Sequence, residues 1–183
     1  MLDLLPDLCD VYAESLTVLP PWFRSYGGQA IFFGPVVTVR CPEDNSLVRD
    51  LVAKPGYGQV LVVDGAGSLR RALLGDQLAH KAIANGWAGI VVFGAVRDVG
   101  ELAQLPLGIQ ALGACPVKTD KRGLGELGIS VEIQGIRIHP GDWLYADLNG
   151  IAIAREELNL RCLPCMQASV KPAHPQTSTD PTL

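Results

Sequence analysis

The chain reads as a compact α/β protein, with a mixed sheet or sandwich flanked by helices, and three observations predict it. QVLVVD (59–64) and AGIVVF (88–93) are short, continuous apolar runs rich in Val and Ile, the pattern of strands buried on both faces. DNSLVRDLVAK (44–54) and the stretch from Asp76 to Asn85 instead space their apolar residues as amphipathic helices do. The 20 glycines and 13 prolines imply many tight turns, which favours such a fold over a helical bundle.

The 183 residues suffice for one well-buried domain and are few for two. We place that domain at 1–160 and expect a Pro-, Ser- and Thr-rich flexible tail at 161–183. With 48% apolar and 19% charged residues, wholesale disorder is excluded. No apolar run reaches the ~18 residues of a membrane span. The start, MLDLLPDLCD, lacks the basic opening of a signal peptide, so a cytoplasmic protein is expected. A net charge of −4 argues against direct nucleic-acid binding, which relies on Lys and Arg neutralising phosphates, and leaves a basic protein partner open. Cys9, Cys41 and Cys115 lie in or beside apolar segments and read as buried, reduced thiols. Cys162 and Cys165 form a CxxC, but only His174 lies near enough in the chain to join a metal site, so the pair reads as incidental.

Taken in order, Pro6 to Ser15 predicts a short helix capped by Asp7, with Leu8, Val11 and Tyr12 on one face. VLPPWFRSYGG (18–28) is a loop whose rings, Trp22, Phe23 and Tyr26, pack over the core edge or meet a partner. Ile31 to Arg40 is a strand. A helix begins at Asn45 or Ser46, turning Leu47, Val48, Leu51 and Val52 inward, and Pro55-Gly56 ends it. After the strand at 59–64, Asp64-Gly65-Ala66-Gly67-Ser68 matches no phosphate-binding fingerprint. Arg70 and Arg71 follow, as exposed charges or as pocket lining. The next helix buries Leu78, Ala79, Ala82 and Ile83, leaves His80 on its other side and closes at Asn85-Gly86. Ala88 to Phe93 is a buried strand, and a short acidic helix precedes another strand at Gly108 to Ala114. KTDKRGLGELG (118–128) reads as a flexible loop whose Lys118, Lys121 and Arg122 form a solvated cluster or meet an anionic substrate. VEIQGIRI predicts a hairpin turning at Gln134-Gly135, and strands at Trp143 to Asp147 and Ile151 to Ala154 complete the fold.

Chemistry-bearing residues concentrate between Gly75 and Asp98. A helix followed by an adjacent strand returns the chain to its starting edge, so Asp76 and the Arg97–Asp98 pair can share one rim. A single aspartate suffices for a weak Mg²⁺ or Mn²⁺ site completed by water and a chelating ligand, a role open to Asp98. Arg97 offers the two-donor fork a carboxylate prefers, and Asp76 is free to position a water. Such a set suits a 2-oxo acid. Surface ion pairing for Arg97 and Asp98, and helix capping for Asp76, are the alternatives.

DLCDVY, VVDGAGSLRRALLGDQLA, NGWAGIVVFGAVRDV, LGIQALG and PGDWLYADLNGIAIA together resemble, over roughly residues 6 to 155, one known family. It contains the metal-dependent 4-hydroxy-4-methyl-2-oxoglutarate aldolases and the RraA-like regulators of ribonuclease E activity. The Asp-x20-Arg-Asp spacing is the aldolase signature, occupied here by Asp76, Arg97 and Asp98. The resemblance implies a compact swivelling-type β/α domain and homotrimeric rings, sometimes doubled to hexamers, with sites at subunit boundaries. It also implies that Asp98 holds the divalent metal, that Arg97 binds pyruvate and that Asp76 orients the catalytic water. The turn at Gly75 and the amides of Gln77 and Leu78 would receive the substrate carboxylate. An acid from a neighbouring subunit completes the aldolase site; Glu156 and Glu157 are candidates for it. EDNSLVRDL and GIQALGACPV resemble the regulator branch more closely, yet Asp98 is retained where some regulators lack an acid. The expected function is therefore a lyase releasing pyruvate, with oxaloacetate decarboxylation as a side activity; the alternative is a non-catalytic inhibitor of ribonuclease E. The methyltransferase label the family has sometimes carried finds no nucleoside-binding glycine loop here.

Overall fold

The computed structural model describes residues 3–163. Helix α1 (Leu5–Val11) is followed by strands β1 (Leu16–Val18), β2 (Arg24–Ser25) and β3 (Phe32–Arg40). Helix α2 (Ser46–Val52) leads to β4 (Val60–Asp64) and β5 (Ala72–Leu74), then α3 (Asp76–Ala84), β6 (Gly89–Val96) and α4 (Val99–Leu102). Strands β7 (Gly108–Ala114), β8 (Glu126–Leu127), β9 (Val131–Ile133), β10 (Ile136–Ile138), β11 (Trp143–Asp147) and β12 (Gly150–Ala154) follow. A 3-10 turn spans Leu160–Cys162.

The main sheet runs β1-β12-β11-β3-β4-β6-β7-β2, with β5 against β6 and β8 against β3. Strands β3, β4, β6 and β7 are parallel, and β11, β12 and β1 continue antiparallel from β3. The expected mixed sheet flanked by helices is what forms.

Side-chain alternation explains the layers. Leu61 and Val63 of β4 enter the core under α2, α3 and α4, whereas Val60 and Val62 face the opposite core, closed by the β9–β10 hairpin. A strand covered on both faces has no solvent side, hence the unbroken VLVVD. In β11 and β12, Leu144, Ala146, Ile151 and Ile153 join the hairpin-side core, while Tyr145 and Ala152 meet α1. Phe32 lies over Gly89 and Gly108, where an added Cβ would fall 2.2 and 2.0 Å from its ring. Only glycine admits the ring there, and burying a Phe contributes about 2–3 kcal/mol.

Several expectations are corrected. Helix α1 ends at Val11 rather than near Ser15; Leu4, Leu5 and Leu8 are buried, while Val11 is exposed. Asp7 lies in the first turn of α1 and not at its cap position; the amides of Leu4 and Leu5 donate to Asp147 Oδ2 at 2.7 and 2.8 Å. Strand β6 runs on to Val96, three residues past the apolar run. The short strands β1, β2, β5 and β8 carry no periodicity long enough to read, since tertiary pairing rather than propensity creates them. Loop 118–128 is tied down at several points, described below. Phe23 packs on Phe93 (centroids 6.3 Å apart) and Tyr26 on the helix-side core, but Trp22 is 61% exposed.

Burial pushes the Cys41 thiol up to about 12, with Asp44 and Asp64 adding to the shift, as suits an inert core thiol. Leu163 is buried beside α1, in one cluster with Leu4, Leu5 and Leu8. Beyond residue 163 the expected tail, with Cys165 of the CxxC, lies outside the described residues. No described helix is long and apolar enough to cross a membrane.

Candidate active site

Strand β5 assembles the site. It pairs parallel with the end of β6, Leu74 beside Val96, and Arg97 N donates to Leu74 O at 2.9 Å. Gly75 and Asp76 therefore emerge beside Arg97 and Asp98 from adjacent strand ends, a more direct link than the helix-and-strand return. The contact is tight: a Cβ at Gly75 would lie 2.6 Å from Asp98 Oδ2 and 3.2 Å from Arg97 Nε.

Asp98 adopts a left-handed conformation (φ 57°, ψ 38°), which aspartate tolerates better than most residues. Its carbonyl starts α4 by accepting Glu101 N and Leu102 N, but its side chain does not cap that helix. The carboxylate instead accepts from Arg97 Nε at 3.1 Å, each side chain being 33% exposed. An ion pair this open is worth ~0–1 kcal/mol, so an incoming ligand can displace it.

Gly75 precedes α3 in extended conformation, and Asp76 is the first helical residue. Asp76 Oδ1 accepts its neighbour Gln77 N at 2.7 Å, while Leu78 N donates to Gly75 O at 3.2 Å. Both amides expected to receive a substrate carboxylate thus have partners already. The long Leu78 bond is weak, and the Gln77 amide is released if Asp76 turns away.

A cleft of about 100 Å³ opens here, walled by Gly75, Asp76, Gln77, Leu78 and Arg97 on one side and by Asn45, Lys118, Thr119 and Lys121 on the other. Its cationic, hydrogen-bonding lining suits a small organic acid. Asp98 does not line it, although its carboxylate lies against Gly75, which does. Neither Lys118 nor Lys121 joins an ion pair among the described residues. Arg97 and two unpaired ammonium groups around one acid, Asp76, make a cleft suited to an anion.

Other charges serve structure. Arg70 Nε and Ser68 Oγ both donate to Glu43 Oε1 at 2.6 Å, and Arg71 holds Lys118 O and Asp120. Gly65 N and Gly67 N both donate to Phe93 O, so that glycine turn does not present these amides to a phosphate. His80 is exposed on α3, and Arg122 does not line the cleft. Asn45 and Thr119, joined by a 2.7 Å hydrogen bond, are wall residues that sequence reasoning missed. They lie 74 residues apart, and Asn45 reads as an ordinary helix start.

A divalent cation fits this donor set only as a weakly held ion. Among the described residues no three His, Cys, Asp or Glu side chains cluster, which rules out a closed cage within them. A partly exposed carboxylate against the cleft residue Gly75 matches the Mg²⁺ pattern of one or two protein carboxylates plus substrate and water.

Fold and site together define an α/β protein with a cleft lined by Arg97, Lys118 and Lys121 at the loop ends of its parallel strands. Residues 5–153 match the RraA-like family, described as Aldolase/RraA, and the chain belongs to it. A relative from Ectopseudomonas mendocina, named "Putative 4-hydroxy-4-methyl-2-oxoglutarate aldolase", is 57% identical over 155 residues, covering 85% of this chain and 96% of its own. Among solved structures, the RNA-processing inhibitor RraA from Thermus thermophilis superposes with a TM-score of 0.83 at 47% identity, covering 87% of this chain and 96% of its own. A chain described as an S-adenosylmethionine:2-dimethylmenaquinone methyltransferase from Geobacillus kaustophilus has a TM-score of 0.80 at 45% identity, covering 85% and 97%.

Proposed function

We propose that this protein is a divalent-metal-dependent lyase that cleaves 4-hydroxy-4-methyl-2-oxoglutarate, or a related 4-hydroxy-2-oxo diacid, to pyruvate. The observation that carries it is the cleft itself, where Arg97, Lys118 and Lys121 line the same small space as Asp76. The aldolase names of relatives such as that from Ectopseudomonas mendocina support it.

Arg97 binds the 2-oxo carboxylate, aided by the start of α3 once Gln77 N is freed. Lys118 and Lys121 face the distal carboxylate. Asp76 orients a water that takes the 4-hydroxyl proton; the C3–C4 bond breaks and its electron pair moves onto the C2 carbonyl oxygen. The fragment carrying the former hydroxyl leaves as pyruvate, and water protonates C3 of the remaining enolate, giving a second pyruvate. Arg97 supports the enolate charge from a fixed position. Asp98 would hold the cation, which when bound supplies Lewis-acid stabilisation of the developing enolate oxygen. Oxaloacetate passes through the same enolate on losing CO₂, so decarboxylation follows as a side activity.

The reading includes a homotrimer, singly or as a doubled ring, with subunit boundaries beside the cleft, where Leu69, Val99, Val117 and Leu124 are exposed near cleft residues in the chain. In a coupled pyruvate-release assay, the hydroxy-methyl diacid should turn over with Mg²⁺ or Mn²⁺ and stop on adding EDTA. Undiminished turnover in EDTA removes the metal role, and no turnover with either ion removes the lyase. A second reading, inhibition of ribonuclease E by docking on its basic region, is favoured by the likeness to Thermus RraA and by the net charge of −4.

A further inference from the structure

One wall of the cleft has no core of its own. Residues 120–128 are all exposed, and Gly123 (φ 74°) and Gly125 (φ 134°) interrupt any regular structure. At its ends the loop is held by the Ala72–Lys118 bridge and by β8 pairing with β3. Between those ends, three consecutive residues at the start of α2 hold it. Asp44 Oδ2 accepts Arg122 N at 2.7 Å and Leu124 N at 3.2 Å. Ser46 Oγ accepts Gly123 N at 3.1 Å, and Thr119 Oγ1 donates to Asn45 Oδ1.

Asp44 divides its two oxygens between two tasks. Oδ1 accepts Ser46 N at 2.8 Å, the local turn that begins α2. That task needs one oxygen. Oδ2 reaches 78 residues along the chain, and the side chain is fully buried. Burial alone would raise its pKa, yet the Ser46 side chain and the amides of Ser46, Leu124 and Arg122 hold it down at about 2. A charged acceptor buried among amide donors is a strong, directional tie.

We propose that Asp44 is a positioning residue for substrate recognition: by gripping the backbone at Arg122 and Leu124 it sets the adjacent Lys121, alongside Lys118 held by its own bridge to Ala72, against the distal carboxylate of a diacid. The proposal rests on the lyase reading of the cleft and adds the device that confers preference for a second carboxylate. Pyruvate, which has one carboxylate, engages Arg97 and the α3 start and does not depend on the grip.

Asp44→Asn separates the two tasks. Its Oδ1 still serves Ser46 N, while an NH₂ group replaces Oδ2 and confronts two N–H donors. Loss of one charged contact corresponds to about tenfold in affinity. We therefore expect KM for the hydroxy-methyl diacid to rise about tenfold, with kcat and the pyruvate inhibition constant within about twofold. Amide exchange across 119–125 should accelerate, while that of β4 and β6 stays unchanged. Ser46→Ala, which removes the Gly123 tie and the hydroxyl's support of Asp44 but leaves Oδ2 its two amides, should move both readouts the same way by less. Unchanged exchange at 119–125 in Asp44→Asn overturns the grip. Faster exchange with unchanged diacid KM, or with KM and the pyruvate constant rising together, overturns the selective role. Calorimetry with pyruvate and with the non-cleavable diacid 2-oxoglutarate gives the same comparison without turnover. If the wild type binds neither acid, the lyase reading and the recognition role fall together, while exchange still decides whether Asp44 grips the loop.

Discussion

At the loop-bearing edge of the parallel strands, Asp98 is left-handed, one-third exposed and hydrogen-bonded to its neighbour Arg97. At the antiparallel end, Asp147 is fully buried, and its carboxylate accepts the amides of Leu4, Leu5 and Asn149. Gln110, on β7, donates to Asp147 O at 2.7 Å and stitches the two halves together. The same side chain thus serves opposite ends. A carboxylate with its lone pairs engaged inside the fold contributes stability and has little capacity left for a ligand. One held at a crowded rim by a weak, screened pair contributes little stability and keeps its capacity for chemistry. Asp142 belongs with Asp147: it is buried and accepts Arg155 at 2.6 Å and His139 N at 2.8 Å. Asp44 stands between the groups, buried as a staple and spent on the cleft wall.

Substitution at the rim should give the largest effect. Asp98→Asn, which tolerates the left-handed backbone and removes the charge, should lower kcat/KM for the diacid roughly 100-fold or more while the melting temperature barely moves. A near-normal rate would erase the contrast from the catalytic side. At the other end, Asp147→Ala leaves three amides without their acceptor. At ~1–3 kcal/mol for each unsatisfied group, less what water recovers, urea unfolding should show a loss of roughly 3 kcal/mol. Turnover per folded molecule should be retained, and its collapse would show that the two ends are not separable. The smallest effect concerns acid. The Asp44 carboxyl is depressed from 3.8 to about 2 in the folded protein, so its stabilisation is present above about pH 4 and is lost as pH falls toward 2. That contribution is roughly 2 kcal/mol, and Asp44→Asn should flatten this part of the acid unfolding profile.

Much of the fold is legible in the chain because burial on both faces writes itself as an apolar run. VLVVD and GIVVF are strands for that reason, and the hairpin shows itself through apolar residues in period two about Gln134–Gly135, both of which take positive φ (54° and 81°). Gly75, Asp76, Arg97 and Asp98 are legible as one neighbourhood from the direction changes around a helix and a strand. The far wall is not. Asn45 and Asp44 have the appearance of a helix start, and Lys118 and Lys121 that of a solvated cluster; only the cross-chain bonds to Thr119, Arg122 and Leu124 show otherwise. Asp7 is the converse case, a plausible cap by position whose role goes to Asp147, 140 residues away.

By itself, then, the order of residues determined which segments are strands and helices, where the turns fall and which acids and cations sit at strand ends. These follow from periodicity, turn chemistry and chain direction, all local properties. Tertiary structure alone decided that β5 would pair with β6 and set Gly75 against Asp98, that Asp147 would hold α1, and that Asp44 would hold the loop bearing the lysines. Hydrogen bonds between distant segments depend on where whole elements pack, and a buried amide accepts whichever carboxylate that packing delivers.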